Sequence, residues 1–341
     1  MSDEPRDFSL MSNQERKALV ERIHIGYPRI KKIASLIKHC HDHSKISAEP
    51  ECMLLLGERG TGKTTECKMY AQKHPRQVID GSSVVPVLYV SIPSPTTTKS
   101  LPTKLLYQLG DPFWKYGSNT VQTLRACDLL NDAQTGLIIL DEFQGFIDGK
   151  TDRAVLEVSN WLKDFIVEVK KPILLAGLPY CDIVLKANDQ LERRFPVRET
   201  LRPLLWKEPK AKAKEPFKDF LLHIDKRLPF NERSNLADED VAYRIYCATN
   251  GVIDFVMKAV RRAAELAIDK NIEKVNMGLL ARAYKERLSS IFPERPNPFT
   301  IAEEKLEIKP FPSSMLGLTA TNRRLQAKKK EMSVSEALSR R

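Results

Sequence analysis

The amino-acid sequence predicts an α/β fold: a parallel sheet with helices on both faces, followed by a smaller helical domain. Three observations predict it. Between Cys52 and Val197, short apolar runs alternate with longer helical stretches, the pattern of strands buried on both faces and joined by crossover helices. A glycine-rich turn separates the first of these strands from the first of these helices. Past Leu204 the strand signal stops and helical periodicity continues alone.

Taken in order, residues 14–40 place Leu19, Val20, Ile23, Ile30, Ile33, Ala34 and Ile37 at helical spacing. Gly26-Tyr27-Pro28 interrupts the pattern, so two helices are expected. The strands are Met53–Leu56, Val85–Val90, Leu137–Leu140 and Ile173–Ala176; the helices between them are Lys63–Lys73, Ser100–Leu109, Val121–Leu130 and Ala154–Lys170. Lys207–Lys218 is rich in Lys and Pro and reads as a solvated linker. Helices are expected over Phe217–Ile224, Asp238–Ala248, Val252–Asp269 and Val275–Leu288, and residues 292–341, with little periodicity, as an extended tail. This divides the chain into an N-terminal helical region (1–50), an α/β core (51–204), a helical domain (205–290) and a basic tail (291–341).

Composition narrows the class. Hydrophobic residues make up 42% of the 341 and charged residues 29%, which suits a soluble protein with a core and excludes disorder throughout. No uncharged apolar run approaches the roughly 18–20 residues of a membrane span, and the acidic MSDEPRDFSL start is unlike a signal peptide. Six widely spaced cysteines without a CxxC pair fit reduced thiols and a cytoplasmic location. The 55 Lys and Arg exceed the 44 Asp and Glu, for a net charge of +11 that favours an anionic partner. Residues 201–230 hold 8 basic against 4 acidic side chains, and residues 301–341 hold 9 against 5, so the excess sits in the linker and tail.

Gly57-Glu58-Arg59-Gly60-Thr61-Gly62-Lys63-Thr64 follows a strand and opens a helix, so GxxxxGK[ST] stands in the context that makes it a phosphate loop. Glycines let main-chain N–H groups face phosphate oxygens, and the helix N-terminus adds its dipole. Lys63 is placed to reach the β- and γ-phosphates and the Thr64 hydroxyl to ligate Mg²⁺. Leu137-Ile-Ile-Leu140 ends in Asp141-Glu142, which sets two carboxylates at the C-terminal edge of a buried strand, where ligands collect in open α/β sheets. Asp141 would hold Mg²⁺ and Glu142 would polarise the attacking water. Arg193 and Arg194 suit an arginine finger supplied in trans, or else a solvated helix end.

GERGTGKTT (57–65, adding Thr65), LIILDEF and LERRF, in this order and before an all-helical domain, resemble an AAA+ P-loop NTPase with a small C-terminal helical lid. Ile25-Gly26-Tyr27-Pro28-Arg29 and the later Asn297-Pro298-Phe299 are similar to the TniB/TnsC family, the ATPase regulators of Mu- and Tn7-like transposition in bacteria. The resemblance covers about residues 20–300. It implies ATP and Mg²⁺ as ligands and nucleotide-dependent assembly on double-stranded DNA in rings or helical filaments. It also implies recruitment of a DDE transposase and of a target-selection factor, TniQ-like or an RNA-guided effector. Residue by residue, it makes Lys63 and Thr64 Walker A, and Asp141 and Glu142 Walker B. It puts Arg194 at the finger, with Arg193 as rival, and lines an adenine pocket with Ile25 and Tyr27. Two departures, Gly177-Leu178-Pro179 without a polar sensor and Asn250-Gly251-Val-Ile-Asp254 without a second-sensor arginine, imply slow, regulatory hydrolysis.

Duplex binding of that kind tracks phosphates rather than bases. Candidates are Lys99, Lys104, Lys115, Thr120 and Arg125, with Lys150 and Arg153 as a second cluster, each read against a solvated charge. No interleaved aromatic–basic series is expected to stack bases, which disfavours a single-strand reader. His39-Cys40-His41-Asp42-His43 lacks a partner pair at zinc spacing. Lys328–Lys330 and Arg340-Arg341 are further anion contacts or a solubilising tail. The rival functional readings are a replicative helicase loader and an ATP-binding scaffold without DNA contact.

Overall fold

Apolar runs that pair on both edges make the centre of the sheet. In a computed structural model describing residues 8, 10–43, 49–94, 96–98, 100–149, 151–207, 215–309 and 311, the strands are β1 (Met53–Gly57), β2 (Gln77–Ile79), β3 (Ser82–Val84), β4 (Val87–Ser91), β5 (Leu137–Asp141), β6 (Ile173–Gly177) and β7 (Val197–Leu201). Five of them form one parallel sheet in the order β4-β5-β6-β1-β7. Every residue of β5 and β6 is buried, so both faces of the sheet are covered.

The chain divides into two units. The sheet unit, Pro28–Leu201, adds α2 (Pro28–His43), α3 (Lys63–Lys73), α4 (Ser100–Leu109), α5 (Asn119–Asp132), α6 (Asp152–Val169), α7 (Asp182–Lys186) and α8 (Asp189–Glu192). On α6 a stripe of Val155, Val158, Leu162, Phe165, Ile166 and Val169 faces the core, and Trp161 stacks on Phe165 at 5.1 Å as part of that packing.

Four central strands were expected and a fifth is present. β7 reads Val-Arg-Glu-Thr-Leu and lies at the sheet edge, where Lys32 of α2 pairs with Glu199. One exposed edge needs no continuous apolar run, so the strand carries no such signal. The β2–β3 hairpin was not expected either. Its two-residue turn is Asp80-Gly81, with φ of 51° and 77°, and an Asp-Gly pair favours that conformation.

The helical unit joins the N-terminal segment through Tyr27 to Arg202–Phe311. It contains α1 (Asn13–Glu21), α9 (Pro216–Asp225), α10 (Glu239–Thr249), α11 (Ile253–Asp269) and α12 (Met277–Arg287). Helices α1 and α2, read together as an N-terminal region, are thus shared between the units. Arg16 explains the position of α1: its buried guanidinium pairs with Glu273 at 2.9 and 3.0 Å and donates to the Pro229 carbonyl at 3.0 Å. That hydrogen bonding holds the Glu273 carboxyl below the usual glutamate range.

Residues 292–309, expected as the start of an extended tail, pack against this unit. Arg244 donates to the carbonyls of Pro298 (2.6 Å) and Ile301 (2.8 Å), while Arg295 lies 4.8 and 4.7 Å from the ring centroids of Phe292 and Phe311. Main-chain carbonyls captured by arginine leave no periodic trace in a sequence. The basic clusters at 328–330 and 340–341, and most of the linker, lie outside the described residues.

Gly251 is the tightest position of the helical unit. It ends α10 at φ 71°, and a Cβ there would come 2.0 Å from the Leu204 carbonyl oxygen, whose own N–H donates to Gly251. Gly251→Ala therefore combines a left-handed conformation with a backbone clash and is expected to cost about 2–4 kcal/mol. Calorimetry should show a lowered unfolding transition with nucleotide binding retained below it.

Candidate nucleotide site

The phosphate loop is built by the end of β1 and the start of α3. Gly62 stands immediately before α3 at φ 102°, a left-handed conformation that any side chain would strain. The buried Thr61 hydroxyl donates to the Glu58 carbonyl at 2.8 Å and pins the curl. Lys63 is buried, and its ammonium donates to the carbonyls of Gly57 (2.8 Å) and Glu58 (2.9 Å). Burial pushes the Lys63 pKa down, opposed by the charges of Glu142 and Asp141. Gly60 and Thr64 are half-buried, Arg59 and Thr65 exposed, around the same turn.

The acids arrive from β5. Since β6 lies between β1 and β5, the Walker B strand stands about 10 Å from the P-loop strand. Asp141 is fully buried and accepts from the Tyr89 hydroxyl at 2.8 Å through Oδ2. Burial and the Asp141 charge drive the Tyr89 pKa up, so the hydroxyl stays a donor. Glu142 adopts φ 57°, an unusual conformation for a residue with a side chain. Its exposed carboxylate meets the P-loop across the gap, with Thr64 Oγ1 3.5 Å from Oε1. Gln144 Nε2 donates to the other carboxylate oxygen.

Tyr89 and Gln144 were missed by sequence reasoning. Tyr89 was detectable as the one polar-tipped ring in an apolar strand, and Gln144 as an amide two residues past the acids. Gln144 Oε1 has no hydrogen-bond partner among the described residues and lies 3.3 Å from the point a Cβ would occupy at Gly177. The turn after β5 thus brings an amide beside Gly177-Leu178-Pro179, which has no polar side chain of its own.

A hydroxyl at Thr64, a buried carboxylate at Asp141 and an ammonium beside a helix N-terminus are the donor set suited to a Mg²⁺–nucleotide. Mg²⁺ prefers hard oxygen ligands, which Thr64 and Asp141 supply.

The model of the bacterial TniB protein family matches residues 17–204, more than half of the chain. This chain belongs to the TniB family. No curated protein matches it. Three archaeal structures share the fold of this TniB-family chain. Pyrobaculum aerophilum Cdc6p is 14% identical over 82% of this chain and 74% of its own, with a TM-score of 0.57. Aeropyrum pernix ORC1 in complex with DNA is 15% identical over 93% and 87%, with a TM-score of 0.54. Aeropyrum pernix ORC2, in ADPNP and ADP complexes, is 15% identical over 79% and 71%, with a TM-score of 0.53. These likenesses establish an AAA+ fold for the TniB-family chain.

The remaining expected residues lie on other segments of the chain. Ile25 and Tyr27 are buried in the helical unit, where the Tyr27 ring meets Phe220 edge-on at 5.8 Å. Arg193 and Arg194 precede β7 at the opposite end of the sheet from the P-loop: Cys52 donates to the Arg194 carbonyl, and Val197 pairs with Met53. The length of β1, about 16 Å, separates them from Gly57. Arg193 is exposed and Arg194 half-buried, and no hydrogen bond or ion pair engages either guanidinium among the described residues. Arg198, by contrast, pairs with Glu192 at 3.0 Å.

Of the expected anion contacts, Lys104, Lys115 and Thr120 lie along α4, the following loop and the first turn of α5, all at least partly exposed. Arg125 does not belong with them. It pairs with the nearly buried Asp111 at 2.8 Å and donates to the carbonyls of Phe113 (2.7 Å) and Tyr116 (3.1 Å), so its charge is committed to holding the loop. Arg153 is exposed on α6 beside Glu157, and Lys99 and Lys150 lie outside the described residues. The His39–His43 run forms no metal-binding group among the described residues. His41 turns inward to Tyr70 at 3.0 Å, while His39 pairs with Glu51 at 3.2 Å. All six cysteines are buried and free. No helix among the described residues is long and apolar enough to cross a membrane.

Proposed function

We propose that this TniB-family chain is an ATP-dependent regulator of transposition that assembles on duplex DNA and links target selection to a DDE transposase. The observation that carries the reading is the placement of the arginines. Arg193 and Arg194 stand a full strand length from their own phosphate loop, so they meet a γ-phosphate only when it belongs to a neighbouring copy. Nucleotide binding and subunit association are then one event.

In this account Lys63 and the loop N–H groups hold the phosphates, and Thr64 and Asp141 hold Mg²⁺, which when bound neutralises phosphate charge. Glu142, steadied by Gln144, orients water and accepts its proton. The arginine of the next copy stabilises charge at the γ-phosphate. Binding of ATP drives assembly, and slow hydrolysis disperses it. Lys104, Lys115 and Thr120 contact duplex phosphates, so affinity falls steeply with salt. A target-selection factor and the transposase are recruited to the assembled form, at a bacterial cytoplasmic location on DNA.

Mixing variants tests the arginines. Arg193→Ala with Arg194→Ala in one chain should bind ATP normally yet lose DNA-stimulated hydrolysis by about 10³-fold or more. Equal amounts of this chain and a Lys63→Ala chain should recover part of the activity, because each supplies what the other lacks at a shared site. Normal hydrolysis by the double-arginine chain would sink the proposal of a finger in trans.

A further inference from the structure

The turn that follows Asp141 and Glu142 carries Gln144 on a firmly held main chain. Phe143–Phe146 forms one 3₁₀ turn, with the buried Phe143 and Phe146 rings 5.3 Å apart. The Gly145 N–H donates to the Glu142 carbonyl at 2.9 Å, and the Gln144 carbonyl accepts from Ile147 and Asp148, each at 2.9 Å. The Gly145 carbonyl accepts from the Thr96 N–H at 3.0 Å, and a Cβ at Gly145 would come 2.6 Å from the Pro93 carbonyl oxygen. Close packing and main-chain hydrogen bonds therefore set where the Gln144 side chain begins.

The side chain itself is buried, at 6% exposure, and its polar groups are under-used. An amide offers two N–H donors on its nitrogen and two acceptor positions on its oxygen. Among the described residues Nε2 makes one hydrogen bond, to Glu142 Oε2, while the other Glu142 oxygen faces Thr64. Oε1 has no hydrogen-bond partner among those residues. Buried polar groups are nearly always paired, and each exception calls for a reason. A bound ligand that completes the amide is such a reason.

Position identifies the ligand. β6 lies between β1 and β5, so its last residue, Gly177, stands between the phosphate loop and the two acids. Gln144 Oε1 lies 3.3 Å, and Cys181 Sγ 2.7 Å, from the point a Cβ would occupy at Gly177. Lys63 comes near enough to Glu142, Asp141 and Cys181 for each to act on its charge. The amide and the phosphate-binding ammonium thus border the same space, to which Gly177-Leu178-Pro179 brings no polar side chain. We infer that Gln144 binds the γ-phosphate of ATP: one Nε2 hydrogen stays on Glu142 and the second donates to a γ-phosphate oxygen. ADP lacks that oxygen, so Gln144 makes the site distinguish ATP from ADP. Because the same amide holds Glu142, recognition of the terminal phosphate also places the acceptor for the proton of water. The inference rests on the ATP-hydrolysis reading above and names the side chain that reads the terminal phosphate.

Isothermal titration of the full chain without DNA tests it, with Mg²⁺ and either ADP or a non-hydrolysable ATP analogue. Gln144→Met keeps the buried volume and removes the donors. It should bind ADP within about 2-fold of the wild type and lose about 10- to 150-fold for the analogue, as one hydrogen bond to a charged group allows. Gln144→Glu keeps the shape but sets a second carboxylate toward the phosphate, so its loss should be at least as large, again with ADP spared. Thermal melting identifies a variant that fails to fold, and the other then decides. Slow hydrolysis with wild-type affinity for the analogue would confine Gln144 to holding Glu142 and overturn the inference alone. Equal losses for ADP and the analogue in a folded variant would overturn it too, since the γ-phosphate would then play no part. A wild-type chain that binds neither nucleotide contradicts the ATP-hydrolysis reading itself.

Discussion

Lys63→Ala should weaken ATP binding by about 10²- to 10⁴-fold and abolish nucleotide-dependent assembly. A hydrogen bond to a charged group contributes about 1.5–3 kcal/mol, and Lys63 has two phosphates to engage. The ammonium is already gathered at the loop, donating to Gly57 and Glu58 carbonyls from a buried position. Burial works against that charge and lowers its pKa, with Glu142 and Asp141 opposing the shift, and a phosphate would favour the charged form further. Isothermal titration with ATP and Mg²⁺ measures the loss directly. Circular dichroism should show the fold retained, because among the described residues the lysine's hydrogen bonds go to main-chain carbonyls of its own turn. Near-normal affinity in a folded Lys63→Ala chain would remove the loop from the mechanism.

Glu142→Gln should act in the opposite sense on assembly. Loss of a positioned base slows hydrolysis by about 10²- to 10⁴-fold, while the contacts that bind nucleotide remain. Glutamine keeps the size of the side chain and can still meet Thr64 and Gln144, the two partners of the native carboxylate. Assemblies on DNA should therefore outlast those of the wild type, with ATP affinity changed little. A stopped phosphate-release signal together with prolonged DNA occupancy is the expected pair of results. Rapid dispersal of the Glu142→Gln chain would show that something other than hydrolysis releases it.

The placement of the candidate site was legible because both of its motifs sit where strands end. Four apolar runs with GERGTGKT and LIILDE were enough to place Lys63, Thr64, Asp141 and Glu142 at one edge of a parallel sheet. β7 was not legible, since an edge strand with one exposed side need not be apolar, and Arg198, Glu199 and Thr200 disguise it. Arg125 illustrates a different limit. Its charge looked free for phosphate until its partners, Asp111 and two carbonyls brought close by the turn, became visible. Tyr89 and Gln144 likewise acquire meaning only from β4 lying beside β5 and from the turn that follows Asp141. The ordered 292–309 segment depends on arginines bonding to carbonyls, an interaction that composition does not record.

Electron microscopy of the chain on duplex DNA tests the central claim of nucleotide-gated assembly most directly. With a non-hydrolysable ATP analogue, ordered rings or filaments should coat the duplex, and the Lys63→Ala chain and the nucleotide-free wild type should leave it bare. Equal coating with and without nucleotide, or ordered assemblies of Lys63→Ala, would contradict the account.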